Sequence, residues 1–129
     1  MDLTLKYIEK KTGYSDDGPA WIAYCKESKT GQTLYFKGMA FKSSKGDGIY
    51  GNYYEVSSGD EYWISGPKKD GGDRHIFGKG VILVQSQAVQ EYLNLRGVGR
   101  LNPKYHKEVE IKEAPYSESL HEHENEKKE

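Results

Sequence analysis

The chain has few of the features that would mark a membrane, secreted or disulfide-stabilised protein. It has one cysteine and four prolines among 129 residues, and no apolar run approaches the roughly 18 residues of a membrane-spanning helix. The single Cys25 cannot form an intramolecular disulfide, which favours a reducing compartment. The N-terminal segment MDLTLKYIEKK lacks the basic and apolar regions of a secretory signal. We therefore expect a cytoplasmic protein without membrane contact.

Hydrophobic residues are also scarce, at 35% against 30% charged residues, which predicts a thin core in one small domain. Eleven tyrosines compensate in part, because each tyrosine buries a large ring and keeps a polar tip. Fifteen glycines against four prolines indicate many tight turns. Short strands are therefore favoured over long helices.

The near-zero net charge hides an uneven distribution. Residues 1–107 carry 16 Lys and Arg against 12 Asp and Glu, a net charge of +4. Residues 108–129 carry three Lys and eight Glu, a net charge of −5. We predict a β domain with a terminal helix over 1–97, followed by a charged, largely disordered acidic tail over 98–129. The alternating segment KEVEIKE (107–113) could instead add an edge strand to the domain.

Period-two alternation and β-forming residues predict most of the secondary structure. Strands are expected at 3–9, 20–26, 32–38, 53–56, 60–65 and 81–84, with the last one central and the second buried on both faces. Residues 39–44 either extend the third strand past Gly38 or form a separate strand. A helix is expected near 87–95, with Ser86 as its N-cap and Gly97 as its C-terminal stop. The fold class is mainly β, a small antiparallel barrel or roll of SH3-like or OB-like size with one C-terminal helix.

Two segments repeat the same frame at an offset of 28 residues. ESKTGQTLYFKG (Glu27–Gly38) and EVSSGDEYWISG (Glu55–Gly66) both read E-x-x-x-G, then six residues, then a second glycine. Gly31 and Gly59 would supply the positive φ that a hairpin loop requires. The pattern predicts two similar hairpins, from a duplication or from convergent use of one design, and chance identity stays open.

The main functional pattern combines basic loops with aromatic strands. Binding of single-stranded nucleic acid requires cations for the phosphates and exposed rings on which bases stack. We therefore predict a non-catalytic binding module of unknown ligand, with single-stranded nucleic acid as the first ligand to test. The predicted ligand-binding residues are Lys45, Lys68, Lys69, Arg74, His75, Tyr35, Tyr62 and Trp63.

The same residues also have a purely structural interpretation. The lysines could form a solvated loop and the rings could form the core, since strand alternation must bury some of residues 62–64. Asp47, Asp70 and Asp73 interrupt the positive loops and weaken any phosphate-binding field. A protein–protein adaptor with an exposed Tyr and Trp hot spot is the second function class.

A small enzyme centred on His75 is a less favoured third class. Asp60 or Asp73 could orient the imidazole, and Ser65 or Cys25 could act as nucleophile. No sequence spacing connects these residues, and Cys25 is typical of a small hydrophobe packed in a strand.

No cofactor or metal is expected. The loop GPKKDGGDRH (66–75) lacks the spacing of a P-loop, and the GKG that follows it at 78–80 precedes a strand rather than a helix. His121 and His123 alternate with Glu in the tail but lack a closed ligand set for a metal.

The elements SKTGQTLYFKG, GNYYEVSSGDEYWISGPKKDGGDRH and AVQEYL, over roughly residues 20–95, resemble a family of small uncharacterised bacterial proteins. Some similar sequences carry the name 1-deoxy-D-xylulose-5-phosphate synthase, which is a large thiamine-diphosphate enzyme. This chain is far shorter, and its Gly46-Asp47-Gly48 has Asn52 only four residues on, too close for the cofactor motif. The resemblance therefore implies a bacterial, cytoplasmic origin and no mechanism.

Overall fold

A computed structural model of the chain describes residues 3–12, 18–74 and 80–111. Within these residues, eight strands form one sheet in the order β1-β6-β5-β4-β3-β2-β7-β8. The strands are β1 (Leu3–Lys10), β2 (Ala20–Glu27), β3 (Thr33–Phe36), β4 (Met39–Ser43), β5 (Tyr53–Glu55), β6 (Glu61–Ser65), β7 (Ile82–Gln85) and β8 (His106–Val109). The mainly β prediction is confirmed.

The first six strands close into an antiparallel barrel. Each strand pairs with the next along the chain, and β6 returns to pair with β1. The longest ladder joins β1 to β2 and runs from Leu3 opposite Lys26 to Glu9 opposite Ala20. Closure leaves no free edge between β1 and β6. The predicted small antiparallel barrel is confirmed.

Residues 39–43 form the separate strand β4 rather than a continuation of β3. Lys37 and Gly38 connect the two strands, and both have positive φ, 51° and 73°. Two consecutive residues of this kind are typical of the type I′ hairpin turn, whose twist matches that of the strands. Phe36 then pairs with Met39 across the turn.

Both predicted hairpins are present, and their core positions follow the 28-residue offset. Leu34 and Phe36 in the first hairpin, and Tyr62 and Ile64 in the second, enter the same core cluster. The turns themselves differ. The Gly31 N–H donates to the carbonyl of Ser28, three residues earlier, whereas that of Gly59 donates to the carbonyl of Glu55, four residues earlier. The residue between the core positions differs too, since Tyr35 is fully buried and Trp63 is 43% exposed.

After the barrel, β7 pairs in parallel with β2 on one side and with β8 on the other, so it is central as expected. A 3₁₀ turn (Ser86–Ala88) leads into the helix α1 (Val89–Arg96). Gly97 ends the helix in the left-handed conformation, φ 68°, as predicted. The expected N-cap was wrong, because the Ser86 hydroxyl donates to the Val109 carbonyl at 3.1 Å and so links the helix start to β8.

The strand β8 lies beyond residue 97, where the sequence placed the end of the domain. Its pairing with β7 runs from Ile82 opposite His106 to Gln85 opposite Val109. The alternative interpretation of the KEVEIKE region as an edge strand is therefore found in part, because β8 begins one residue before this segment and ends at Val109. Residues 112–129 of the predicted tail lie outside the described residues.

Two hydrophobic clusters use opposite faces of β2. Trp21, Ala23 and Cys25 join side chains of β1, β3, β4 and β6 in the barrel cluster. Ala20 and Ile22 join side chains of β1, β7 and α1 in the helix cluster. The second strand is thus buried on both faces, as its near-continuous apolar run predicted. The helix covers the outside of the barrel at β1 and β2.

Candidate functional site

The conspicuous loop after β6 closes on itself through one carboxylate. Asp73 Oδ1 accepts the backbone N–H of Lys68 at 2.6 Å, and the N–H of Gly71 donates to the Lys68 carbonyl at 3.2 Å. Burial raises the pKa of Asp73, and the hydrogen bond from Lys68 acts in the opposite direction. The side chains of Lys68 and Lys69 remain exposed. Residues 68–73 therefore form a compact turn that presents two lysines.

The end of α1 packs against this turn at Gly71. Gly71 has φ +77°, and a Cβ there would lie 2.6 Å from the Arg96 guanidinium carbon. The same guanidinium lies over the Tyr92 ring, 5.7 Å from its centroid. The glycine is thus required by its backbone conformation, and a side chain there would also displace the flexible end of Arg96.

A buried polar row on β1 lies beneath the loop. Tyr7 donates to Glu9 at 2.5 Å, and Lys11 donates to the other oxygen of Glu9 at 3.0 Å. Tyr7 and Glu9 are 0% and 2% exposed. Burial, followed by the hydrogen bond to Glu9, raises the pKa of the Tyr7 hydroxyl, which therefore stays protonated and serves as a donor.

Arg74 belongs to this buried region rather than to an open basic surface. Its Nη2 donates to the Gly18 carbonyl at 3.0 Å, and its charge acts on Tyr7 to lower the pKa. Gly18 has no room for a side chain, since a Cβ would lie 2.1 Å from the Lys10 carbonyl oxygen. Arg74 therefore links the loop that follows β6 to the connection between β1 and β2.

The sequence interpretation missed the polar row because it assigned one buried face to the first strand and did not consider the polar side chains along it. The signal was the alternation of Tyr7, Glu9 and Lys11, which places three polar side chains on one side of a strand. A second missed contact joins the helix to β8. The Tyr92 hydroxyl lies 3.1 Å from Nε2 of His106, and both side chains are buried.

Apart from Arg74, the predicted ligand-binding residues divide into three groups. Lys45, Lys68, Lys69 and Trp63 are exposed. Tyr35 and Tyr62 are 0% and 5% exposed, so they cannot face a ligand, and their assignment to the site is corrected. Both belong to short strands of the barrel, where their rings replace scarce aliphatic side chains. His75 lies outside the described residues.

Trp63 and Tyr54 define an exposed aromatic face on β5 and β6. Trp63 is 43% exposed and Tyr54 is 36% exposed. Because Tyr62 and Ile64 enter the barrel cluster, Trp63 points to the opposite side of β6. Tyr54 lies opposite Glu61, two residues from Trp63 on the same face. The two rings are thus diagonal neighbours, within about 7 to 8 Å between Cα positions.

Lysines surround the aromatic face. Lys42 pairs with Tyr54 across the ladder, and Lys45 lines a groove of about 600 Å³ together with Tyr54 and Glu61. Glu61 Oε1 accepts the N–H groups of Tyr50 and Gly51 at 3.1 and 3.2 Å. These hydrogen bonds lower the pKa of Glu61, so it remains charged and opposes the lysines.

The described residues show no arrangement that favours catalysis by a thiol or a metal. Cys25 is buried in the barrel cluster, and burial raises its pKa to about 12, which keeps the thiol protonated. Within residues 3–12, 18–74 and 80–111, no three His, Cys, Asp or Glu side chains are placed to hold a metal ion. In that part of the chain, no helix is long and apolar enough to cross a membrane.

Comparisons with known proteins found no relative of this chain. No family model matches the chain, and searches of curated proteins and of solved structures gave no match either. The function therefore has to be inferred from the geometry of the site.

Proposed function

We propose that the protein is a non-catalytic binding module whose ligand-binding surface is the aromatic face of Tyr54 and Trp63, and that its ligand is single-stranded nucleic acid. One observation carries the proposal. Trp63 is 43% exposed in a strand whose adjacent residues, Tyr62 and Ile64, are buried. The core does not account for this tryptophan, and with the neighbouring exposed Tyr54 it forms a contiguous aromatic patch of the kind that marks an interaction site.

Base stacking accounts for the exposed rings. Stacking on an aromatic side chain contributes about 1 to 3 kcal/mol per base and tolerates any sequence. Tyr54 and Trp63 are diagonal neighbours on one face of the sheet, so they can receive two bases of one strand.

The phosphate contacts come from lysines at the two ends of this face. Lys42 and Lys45 lie at the β4–β5 end, and Lys68 and Lys69 lie on the turn after β6. None of the four makes an ion pair within the described residues. Glu61 between them limits the positive field, so we expect micromolar rather than tighter binding, with a strong dependence on salt.

The test is a fluorescence-polarisation titration of the full chain with labelled single-stranded DNA and RNA at about 50 mM and about 200 mM salt. We expect binding that weakens with salt, about fivefold or more weaker in Trp63→Leu and in the double variant Lys68→Ala/Lys69→Ala. The matched control is Arg100→Ala/Lys107→Ala, which removes two exposed cations elsewhere on the surface.

Two results would overturn the proposal. The first is the absence of saturable binding at low salt. The second is binding that Trp63→Leu leaves unchanged while the variant remains folded.

The free, buried Cys25 accords with the reducing, cytoplasmic location expected from the sequence, and we include that location in the proposal.

A protein–protein adaptor is the second candidate, because an exposed tryptophan is the residue type most enriched in interface hot spots. In that case the chain would bind no nucleic acid. Its mass in solution would instead rise with protein concentration, or it would bind a partner protein with an affinity that does not depend on salt. Trp63→Leu would abolish either behaviour.

A further inference from the structure

The groove beside Tyr54 has polar chemistry that base stacking and phosphate contacts do not use. It has a volume of about 600 Å³ and lies between the β4–β5 loop, Tyr54 and the turn before β6. Its charged side chains are two carboxylates, Asp47 and Glu61, and one ammonium group, Lys45. The charged lining is therefore net negative, although lysines surround the face as a whole.

The β4–β5 loop is fixed against β6, so the shape of the groove is set before a ligand binds. The Asn52 side chain exchanges two hydrogen bonds of 2.8 Å with the backbone of Ile64. Gly51 lies so close to β6 that a Cβ there would be 2.3 Å from the Tyr62 carbonyl oxygen. A groove fixed in this way loses little conformational entropy on binding.

The loop holds the Glu61 carboxylate through only one of its two oxygens. Oε1 accepts the backbone N–H groups of Tyr50 and Gly51, at 3.1 and 3.2 Å. Within the part of the chain that the structure describes, Oε2 makes no hydrogen bond and Glu61 makes no ion pair. Because the backbone hydrogen bonds lower the pKa of Glu61, Oε2 is a charged acceptor that the fold does not use.

Tyr54 and Glu61 are also close cross-strand neighbours. They lie opposite each other in the β5–β6 ladder. The N–H of Glu55 donates to the Asp60 carbonyl, so residues 55 and 60 form a hydrogen-bonded pair and Tyr54 and Glu61 form a non-hydrogen-bonded pair. The β carbons of such a pair lie about 4.5 to 5.5 Å apart. A base stacked on the Tyr54 ring can therefore bring its edge within reach of Glu61.

We propose that this groove selects guanine in a single-stranded nucleic acid, with the base stacked on Tyr54 and its N1–H and N2–H groups donating to the Glu61 carboxylate. This base preference rests on the function proposed above and adds to it. Of the common bases, only guanine presents two adjacent N–H donors on its Watson–Crick edge, and a carboxylate oxygen has two lone pairs to accept them. Adenine and cytosine place a ring-nitrogen acceptor beside the amino group, and thymine and uracil place carbonyl oxygens on both sides of one N–H.

The lysines at the groove favour a neutral base over a cationic ligand. A net negative groove beside an aromatic ring would also suit an ammonium or guanidinium group. However, Lys45 lines the groove and Lys42 pairs with Tyr54, so a cationic side chain would meet two like charges. The same lysines attract the phosphates of a nucleic acid. Guanine brings two donors to Glu61 without adding positive charge.

The test is a fluorescence-polarisation titration of the full chain with labelled oligothymidylates of about nine nucleotides that carry one variable base at the centre. We expect guanine at that position to bind about tenfold more tightly than adenine, cytosine or thymine. Hypoxanthine, which lacks only the amino group of guanine, should bind about threefold less tightly than guanine. These comparisons use the unmodified protein throughout.

Glu61→Gln separates base recognition from the structure of the loop. Its amide oxygen can accept the same two backbone N–H groups, while its NH₂ group replaces Oε2 with a donor. We expect the preference for guanine over thymine to fall to about twofold or less, even if loss of one negative charge tightens binding of every oligonucleotide. The matched control is Glu108→Gln, which removes an exposed carboxylate on β8 and should leave the ratio of the two affinities unchanged.

The possible results separate guanine selection from the proposed function. Salt-dependent binding that is equal for all five bases, or a guanine preference that Glu61→Gln retains, would reject guanine selection and leave the binding function standing. No binding of any oligonucleotide would reject both. Displacement of the bound oligonucleotide by N-acetylarginine amide, without a guanine preference, would assign the groove to a cationic side chain of a partner protein.

Discussion

Tyr92 of α1 and His106 of β8 form a buried hydrogen bond between the hydroxyl and Nε2, 3.1 Å long, that joins the helix to the last strand. Their rings are tilted by 47° with centroids 5.4 Å apart. Arg96 lies over the Tyr92 ring, 5.7 Å from its centroid. Protonation of His106 would therefore introduce a second positive charge into a buried site that already holds a guanidinium group.

This arrangement predicts that acid destabilises the protein through His106. Burial, and then Arg96, lowers the pKa of His106 below its ordinary value of 6.5. The unfolded chain takes up a proton near that ordinary value while the folded chain does not, so the free energy of unfolding falls as pH drops through it. The full contribution is present above the ordinary pKa. Urea denaturation at a series of pH values measures this dependence.

The variant His106→Gln isolates the effect, because the other three histidines remain in both proteins. We expect the variant to lose less stability than the wild type between about pH 7.5 and about pH 5. Parallel pH profiles for the two proteins would mean that His106 remains neutral, or ionises equally, in both states.

The contact between Gly71 and Arg96 gives a second prediction. Gly71→Ala introduces a side chain at φ +77° and places its Cβ 2.6 Å from the guanidinium carbon. We expect a loss of about 1 to 3 kcal/mol in the free energy of unfolding, from backbone strain and from displacement of Arg96. Chemical denaturation measures the loss.

Gly66→Ala is the matched control, since a Cβ at that position would have no atom within 4 Å, and the φ of Gly66 is not among the positive ones. We expect a change within about 0.5 kcal/mol there. The double variant Gly71→Ala/Arg96→Ala should recover the part of the loss that arises from the steric contact, while the backbone strain remains. Equal losses in Gly66→Ala and Gly71→Ala would contradict this explanation.

The sequence predicted the antiparallel barrel well because its strands are local. Each pairs with its neighbour along the chain, and the turns carry the glycines that their backbone requires, such as Gly31 with φ 72° and Gly59 with φ 77°. The parallel ladders β2–β7 and β7–β8 were not predicted. The sequence of residues 82–85 shows that the strand is apolar. It does not show that the strand pairs with β2, which lies far earlier in the chain.

The candidate site was predicted less well for a related reason. Alternation shows that Tyr62 and Trp63 point to opposite sides, but it does not show which side is the core. The repeated frame aligns Leu34 with Tyr62, and both are core positions in the structure, but the sequence interpretation placed Tyr62 at the binding site. It did not show that Tyr35 would be covered on the other face while Trp63 was left open. That difference arises from what packs on the outside of the barrel, which is a property of the whole fold.

The contrast between these adjacent residues yields a third prediction. Tyr62→Ala should cost about 3 to 5 kcal/mol, because the ring is 5% exposed and packs edge-on against Phe41 with centroids 4.7 Å apart. Trp63→Ala should cost about 1 kcal/mol or less, as expected of an exposed residue. Urea denaturation of the two variants gives the comparison.

Tryptophan fluorescence provides an independent check on Trp63. The chain has two tryptophans, and Trp21 is 9% exposed against 43% for Trp63. Acrylamide should quench one component of the emission readily, and Trp63→Phe should remove that component. A readily quenched signal that persists in Trp63→Phe would mean that Trp21 is the accessible ring.

The buried row on β1 gives the last prediction. Glu9 accepts from both Tyr7 and Lys11 and is 2% exposed. Glu9→Gln removes the charge that pairs with the largely buried Lys11, so we expect a cost of about 3 kcal/mol or more. Tyr7→Phe removes one donor and should cost about 1 to 2 kcal/mol. Because both changes affect the same hydrogen bond, the double variant Tyr7→Phe/Glu9→Gln should cost less than the two single losses combined. Strict additivity in a double-mutant cycle measured by urea denaturation would show that Tyr7 and Glu9 contribute independently.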